Sequence, residues 1–219
     1  MRLVIAIDGP AGAGKSTVAK ILARRLGLRY LDTGAMYRAL ALKAQREGLG
    51  PEDGPEPAFL AEGPRIALLE GDPPRVILDG EDVTTLIRTP EIGELASALS
   101  AFPEVRACLV RHQQAVVAEG GVTLEGRDAT TVLAPHADLK VFLTASLEER
   151  VRRRKAELDA KGLTVDYAEL LRQVAERDHR DYTRETSPLQ VAPDAVVVES
   201  FGIDPETVAD RILDHLPRL

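Results

Sequence analysis

Residues 9–16 read Gly9-Pro-Ala-Gly-Ala-Gly-Lys-Ser16 and fit the pattern G-x-x-x-x-G-K-[ST] at every fixed position. The apolar residues 3–7, which end at Asp8, predict a buried strand before this stretch. After it, apolar residues recur at helical spacing as far as Leu26, and Gly27 predicts the end of a helix. A strand, a glycine-rich loop and a helix in this order form a phosphate-binding P-loop. The stretch therefore predicts an α/β protein that binds a nucleoside triphosphate.

The residue types of the P-loop explain the expected chemistry. Its glycines let successive backbone N–H groups turn toward one anion, together with the N-terminus of the following helix. Lys15 is predicted to reach the β- and γ-phosphates, and the Ser16 hydroxyl is predicted to bind Mg²⁺. The predicted ATP-binding residues are Gly9, Pro10, Ala11, Gly12, Ala13, Gly14, Lys15, Ser16 and Thr17. The alternative is a glycine turn that caps a helix and binds nothing, which the flanking strand and helix disfavour.

Composition and charge narrow the class of protein. The chain has 219 residues, enough for one α/β domain with insertions, and its net charge of −7 argues against general nucleic-acid binding. No run reaches the roughly 18 apolar residues of a membrane span. The apolar N-terminal run leads directly into the P-loop, so we expect no signal peptide. A single cysteine, Cys108, favours the cytoplasm. We expect a cytoplasmic monomer with no nucleic-acid or membrane partner.

The rest of the chain alternates predicted strands with helices, which favours a parallel sheet with helices on both faces. Further core strands are predicted at 28–31, 122–125, 139–143 and 195–198, and a small antiparallel insert at 65–69, 75–78 and 81–84. A loop rich in glycine, proline and acid is predicted at 48–63. Because ligands bind at the carboxyl ends of parallel strands, the segments that follow the core strands should meet at one rim.

Arginines near those strand ends are the second feature of the sequence that indicates phosphate binding. Arg38 and Arg127 each follow a predicted strand, and Arg106 lies early in a predicted helix. Four charged residues share one face of a helix predicted from about residue 167 to 184: Arg177, Arg180, Asp181 and Arg184. We interpret these arginines as cations that hold phosphate charge. The alternative for the helix is a solvated face with an Arg177–Asp181 ion pair.

A second basic helix begins at the predicted capping box Ser146-Leu-Glu-Glu149. Arg150, Arg153 and Arg154 share one of its faces, and we interpret them as part of a mobile lid over the transferring γ-phosphoryl group. The alternatives are a surface helix or a basic nucleic-acid patch, and the acidic net charge argues against the patch. The predicted catalytic residues are Lys15, Arg127, Arg150 and Arg154.

Two absences from the sequence narrow the reaction further. No carboxylate stands out as a catalytic base, which favours an acceptor that is itself a phosphate, because phosphates are mostly ionised near neutral pH. The chain contains no asparagine, so it cannot form the Asn-Lys-x-Asp loop with which GTPase switches recognise guanine.

Taken together, the motifs resemble those of bacterial cytidylate kinases over nearly the whole chain. They are the P-loop, Asp32-Thr-Gly-Ala-Met-Tyr-Arg38, Ile87-Arg-Thr-Pro-Glu91, Ala101-Phe-Pro-Glu-Val-Arg106, Gly126-Arg-Asp128, Glu176-Arg-Asp-His-Arg-Asp181 and Ser187-Pro-Leu189. The resemblance implies the nucleoside monophosphate kinase fold and Mg²⁺-assisted transfer of the γ-phosphoryl group of ATP to CMP or dCMP. It also implies a single kinase domain, 1–219, with its core at 1–35, 104–148 and 186–219, a monophosphate-binding subdomain with the β insert at 36–103 and a lid at 149–185.

The resemblance also implies which residues bind CMP. Those near the phosphate are Arg38 and Arg127, those near the base are Thr33 and Ser97, and those at the cytosine edge are Arg106 and Asp128. Arg177, Asp181 and Arg184 would contact the phosphate and the sugar hydroxyls. A helix cap or an acid near Mg²⁺ is the alternative role for Asp128. The chain departs from the family at Thr130, where a glycine is usual.

Two alternative functions stay open at this point. A P-loop kinase could instead phosphorylate UMP, dTMP or a small metabolite such as shikimate. In a different class, a P-loop protein could act as a regulatory switch that binds an adenine nucleotide and signals to a partner.

Overall fold

The computed structural model describes residues 2–51, 53, 65–69, 71, 74–160 and 162–216. The central strands are β1 (Val4–Asp8), β2 (Arg29–Asp32), β6 (Val122–Glu125), β7 (Leu139–Thr144) and β8 (Val196–Glu199). They form a five-stranded parallel sheet in the order β2-β6-β1-β7-β8. The predicted parallel α/β architecture is therefore confirmed.

Seven helices among the described residues surround this sheet. They are α1 (Lys15–Leu26), α2 (Thr33–Arg46), α3 (Pro90–Leu99), α4 (Pro103–Ala118), α5 (Leu147–Ala160), α6 (Tyr167–Thr183) and α7 (Pro205–Leu213). Local sequence sets several of their ends: Gly27 ends α1 in the left-handed conformation, and the Asp204 carboxylate accepts a hydrogen bond at the start of α7. No described helix is both long and apolar enough to cross a membrane.

Side chains that alternate along β1 enter two different apolar layers. Ile5 and Ile7 pack in the layer that contains α1 and α7, whereas Ala6 packs in the layer that contains α2 and α4. The alternation follows from the two-residue period of a strand, and each layer is covered by helices. This arrangement buries β1 on both faces and leaves its carboxyl end as the opening to the site.

A small antiparallel sheet is inserted between α2 and α3. Its strands are β3 (Ile66–Leu69), β4 (Arg75–Leu78) and β5 (Glu81–Asp82), in the order β3-β4-β5. Val76 and Leu78 pack into the same apolar layer as α2, which fixes the insert to the core. The predicted insert is confirmed. Most of the predicted 48–63 loop, and residues 72–73 between β3 and β4, lie outside the described residues.

Four of the central strands end one residue later than predicted, and in β1 the additional residue is Asp8, whose contacts explain its place in the strand. This buried carboxylate accepts hydrogen bonds from the backbone N–H groups of Ala129 and Thr130, both at 2.8 Å. The Thr130 hydroxyl donates a third, at 2.5 Å, and a short π-helical turn, Ala129–Leu133, begins here. An acidic residue, which in the sequence suggests the end of a strand, can therefore lie within the strand. Three protein donors make the hydrogen bonds that water would otherwise make to its carboxylate. Thr130, the departure from the family, supplies two of them, and a glycine at this position would lack the hydroxyl.

Candidate active site

The carboxyl ends of the central strands open into one cleft, as the sequence predicted. The P-loop, the first turn of α2, residues 125–128 and the facing sides of α3, α5 and α6 line this cleft. Its volume is about 2000 Å³, above the roughly 300–1,000 Å³ of a pocket for one small ligand. The cleft therefore has room for two substrates.

The P-loop lies on one side of the cleft and holds Lys15 at its centre. Gly9 has a φ of +146°, and a Cβ there would come within 1.9 Å of the backbone oxygen of Leu143, so only glycine fits. The Lys15 ammonium is buried and donates a hydrogen bond to the Pro10 carbonyl at 2.8 Å. Burial and, to a smaller extent, the nearby Arg127 together lower the pKa of Lys15 to about 7. A cation in this position gains from a bound anion, which agrees with the predicted phosphate contact.

Glu125, the last residue of β6, is a site residue that the sequence analysis missed. Its carboxylate accepts hydrogen bonds from the Ser16 hydroxyl and, at 3.0 Å, from the Tyr30 hydroxyl. An acid at the carboxyl end of a strand beside the P-loop strand is the signal that could have identified it. The pair of a hydroxyl and a carboxylate presents oxygen atoms, which are the ligands that Mg²⁺ prefers.

No group of three or more His, Cys, Asp or Glu side chains in the described part of the chain could hold a metal ion. A site built on Ser16 and Glu125 therefore needs further ligands from outside the protein. Phosphate oxygens and water supply them for Mg²⁺, which usually binds through one or two carboxylates together with substrate phosphates. The residues present fit a metal that arrives with a nucleotide.

Across the cleft, Arg106 and Asp128 form a buried ion pair. Their side chains are only 3% and 5% exposed, and the guanidinium carbon of Arg106 lies 5.4 Å from the centre of the Tyr37 ring. The Asp128 carboxylate makes no capping hydrogen bond to the turn that follows it, because Asp8 binds that turn instead. The helix-cap alternative for Asp128 is therefore wrong.

Thr33 and Ser97 both line the cleft and are buried. The Thr33 hydroxyl donates to the backbone oxygen of Glu125 at 2.6 Å, which ties the start of α2 to the end of β6. The Ser97 hydroxyl accepts from Arg180 at 3.4 Å, and its carbonyl accepts from the Ser100 hydroxyl at 2.8 Å. The structure thus brings both predicted residues to the acceptor side of the cleft.

The charged face of α6 points into the cleft. Asp181 accepts a hydrogen bond from Arg127 at 2.7 Å and lies 3.6 Å from Arg184, and it is 4% exposed. Burial raises the pKa of Asp181, but Arg127 and Arg177 outweigh it, so this pKa lies below its usual range. The alternative of a solvated face is wrong. Arg177 Nε and one Arg184 nitrogen are buried without a hydrogen-bond partner among the described residues, which leaves donors for an anion.

Arg38 extends toward the same region from α2. Its guanidinium donates to the backbone oxygen of Ile87 at 3.3 Å, and burial lowers its pKa. Gly93 of α3 lies against it: a Cβ on Gly93 would be 3.1 Å from an Arg38 nitrogen. Gly93 was not identified from the sequence, because its effect depends on how α2 and α3 pack.

The structure gives different partners to the three arginines that share one face of α5. Arg150 donates to the Ala11 carbonyl of the P-loop at 3.0 Å and pairs with Asp178 of α6 at 2.6 Å. Arg153 donates to the carbonyl of Ser200, after β8, at 2.6 Å. The only ion pair of Arg154 within the described residues is with the exposed Glu157, at 3.2 Å. Arg150 thus holds α5 to the P-loop and Arg153 holds it to the segment after β8, whereas Arg154 has no buried ion-pair partner among the described residues.

The fold and the site define a class of protein: a P-loop kinase with a donor site and a facing acceptor site for a second anion. Comparison with solved structures agrees on the fold, since a gluconokinase from Sinorhizobium meliloti has a TM-score of 0.53 at 15% identity, over 99% of this chain and 93% of that one. Residues 5–218 match the cytidylate kinase family.

Individual relatives agree with this match. The cytidylate kinase of Carboxydothermus hydrogenoformans is 49% identical over 98% of this chain and 97% of its own length. That of Geobacter sulfurreducens is 51% identical over 96% of this chain and 91% of its own. The chain belongs to the cytidylate kinase family and is an enzyme of the nucleoside monophosphate kinase class.

Proposed function

We propose that the protein transfers the γ-phosphoryl group of ATP to CMP or dCMP, with ATP at the P-loop and the monophosphate across the cleft. The buried Arg106–Asp128 pair carries this proposal. Cytosine presents an amino donor beside ring acceptors, which a carboxylate and a guanidinium complement. Uracil has a carbonyl in place of the amino group. It would leave Asp128 facing an acceptor, at a cost of roughly 1–3 kcal/mol.

On the donor side, Lys15 contacts the β- and γ-phosphates, and the backbone of residues 9–17 surrounds them. Ser16 and Glu125 would hold Mg²⁺ when it arrives with ATP, because both present oxygen ligands beside the P-loop. Bound Mg²⁺ offsets the negative charge of the phosphate oxygens during transfer. Lys15 adds a further positive charge from within the P-loop.

On the acceptor side, Arg38, Arg127 and Arg177 bind the CMP phosphate, while Asp181 and Arg184 face the sugar hydroxyls. The unpartnered nitrogen atoms of Arg177 and Arg184 support this assignment, because buried donors without partners are unfavourable until a ligand binds. Asp181 positions Arg127 through its hydrogen bond. No protein base is needed, since the attacking phosphate is already ionised near neutral pH.

We assign contact with the transferring phosphoryl group to Arg154, with Arg150 beside it. The exposed pair of Arg154 with Glu157 is weak, so Arg154 can leave it at little cost. Arg150 already touches the P-loop, and it would reach the phosphates by leaving Asp178.

The lid, 149–185, is proposed to move toward the core at 1–35, 104–148 and 186–219, which also carries the monophosphate-binding subdomain, 36–103. A separate small apolar cluster between α5 and α6, formed by Val151, Leu158 and Leu170, supports a lid that packs on itself. The net charge of −7 supports a protein without nucleic-acid partners, and the single cysteine supports a cytoplasmic location. We expect sedimentation to report a monomer.

A nucleotide panel tests the proposed function. We expect ATP-dependent phosphorylation of CMP and dCMP, with kcat/KM for UMP lower by roughly 10-fold to 100-fold because Asp128 then faces an acceptor. The assay includes dTMP and shikimate as further acceptors. Turnover of UMP above that of CMP would reject the proposal. Slow ATP hydrolysis at a rate that is the same with and without each acceptor would instead indicate a regulatory switch.

Gly93→Ala is expected to raise KM for CMP several-fold while leaving the protein at least as stable. The new Cβ displaces the flexible end of Arg38, whereas alanine in a helix is favoured over glycine by roughly 1 kcal/mol. Steady-state kinetics and urea unfolding measure the two effects. An unchanged KM for CMP in a folded variant would argue that Arg38 does not hold the CMP phosphate from this position.

A further inference from the structure

The Tyr30 side chain contacts the donor site although it lies outside the P-loop and the acceptor site. Tyr30 belongs to β2, at the edge of the sheet, and its hydroxyl donates to Glu125 Oε1 at 3.0 Å. The Ser16 hydroxyl donates to the same oxygen. Two hydroxyl groups from different elements therefore converge on one atom of the carboxylate.

This arrangement gives the Glu125 carboxylate a defined orientation. A phenol keeps its proton at neutral pH, and an ionised carboxylate only accepts, so the direction of the hydrogen bond is fixed. Both donors bind Oε1, and no described residue donates to Oε2. The second oxygen is left available for a ligand from the cleft.

The Tyr30 ring is itself held in place. The Lys20 ammonium lies 5.5 Å from the ring centre, within the range of a cation–π interaction, and the ring packs against the apolar layer beside α1. Lys20 and Ser16 belong to the same helix, so the contacts of Tyr30 join β2, β6 and the start of α1.

We propose that Tyr30 is a positioning residue that holds Glu125 in the orientation which receives Mg²⁺ with the nucleotide. This inference rests on the proposed role of Ser16 and Glu125 toward Mg²⁺. Tyr30 does not touch the nucleotide and acts only through the carboxylate. Removal of its hydroxyl frees Glu125 to rotate, and the loss of such an outer partner typically lowers metal affinity by roughly 10-fold to 100-fold.

Tyr30→Phe removes the hydroxyl and keeps the ring, and Tyr167→Phe, at an exposed position on α6, is the matched control. Mn²⁺ binding to the enzyme with AMP-PNP, followed by electron paramagnetic resonance, is the readout. We expect Tyr30→Phe to weaken Mn²⁺ binding roughly 10-fold. Binding of AMP-PNP without metal, binding of CMP and the melting temperature should stay close to those of the parent. An equal loss of metal-free AMP-PNP binding would overturn the proposal.

Glu125→Gln, alone and combined with Tyr30→Phe, tests the metal role of Glu125 separately from the positioning role of Tyr30. Glu125→Gln should weaken Mn²⁺ binding, and adding Tyr30→Phe should then have no further effect. If Glu125→Gln leaves Mn²⁺ binding unchanged, the proposed metal role of Glu125 fails. If it weakens binding while Tyr30→Phe does not, only the inference about Tyr30 fails. Equal effects of Tyr30→Phe in both backgrounds would show that Tyr30 does not act through Glu125.

Discussion

Lys15→Met is expected to lower kcat by at least roughly 10²–10³, the usual effect of removing one preorganised charge-stabilising group. The Lys15 ammonium is buried at the centre of the P-loop, and its hydrogen bond to the Pro10 carbonyl holds it there. Methionine keeps the apolar stem and removes only the charge. The phosphate charge that develops during transfer then loses a contact that solvent cannot replace in a closed cleft.

Initial rates with saturating ATP and CMP measure this effect. Arg24→Met is the matched control, because it removes a charge from an exposed position on the same helix, α1. The control should retain most of the parent kcat. A near-normal kcat for Lys15→Met would contradict the assignment of the P-loop as the donor site.

In the absence of nucleotide, the stability of Lys15→Met should depend less on pH than that of the parent. Burial lowers the pKa of Lys15 to about 7 from its model-compound value of 10.5, so between these pH values the unfolded chain holds a proton that the folded chain lacks. The parent therefore gains stability as the pH rises through this window, whereas methionine gains none. Urea unfolding at pH 7 and pH 9 should show the parent improving relative to Lys15→Met. If the difference in unfolding free energy between the parent and Lys15→Met is the same at pH 7 and pH 9, the lowered pKa of Lys15 is contradicted.

Asp128→Asn is expected to raise KM for CMP by roughly 10-fold to 100-fold, the effect of a lost charged hydrogen bond of about 1.5–3 kcal/mol. The carboxylate pairs with the buried Arg106, and an amide cannot replace that charge. The preference for CMP over UMP should shrink as well, because an amide can donate a hydrogen bond to the carbonyl of uracil. KM for ATP should change little, since the P-loop lies on the other side of the cleft.

Breaking a buried ion pair also destabilises a protein, typically by about 3–5 kcal/mol, so kinetics need a folded variant. Circular dichroism at the assay temperature checks this, and asparagine was chosen because it keeps the shape of aspartate. Asp194→Asn is the control. It removes the exposed carboxylate of the Lys140–Asp194 ion pair and should retain the parent KM values. Equal increases of KM for CMP and ATP would point instead to a role of Asp128 near the metal.

Short sequence patterns predicted most of the fold. The P-loop, the end of α1 at Gly27 and the alternation of strands and helices depend on neighbouring residues, and the structure confirms them. The predicted strand ends were one residue short at Asp8, because the three donors that satisfy this acid come from residues 129 and 130, far away in the sequence. The ordered set of motifs also indicated the family before any contact was known.

The residues that sequence reasoning missed depend on packing between separate elements. Glu125 reaches Ser16 because β6 lies between β1 and β2, with Glu125 in register with Ile7 on one side and Asp32 on the other. Helical spacing placed three arginines of α5 together, but the P-loop and the segment after β8 bind two of them.

The sequence by itself determined that this chain forms a nucleotide-binding P-loop in an α/β fold, because such a loop is built from consecutive residues whose backbone conformations follow from glycine and helix chemistry. The kinase family was indicated by the ordered set of motifs. The sequence also placed cations near the strand ends. Only the tertiary structure decided which cation has which partner, which carboxylate accepts from Ser16 and which arginines are already engaged. The reason is physical: such contacts are set by strand order and helix packing, and these bring together groups that lie far apart along the chain.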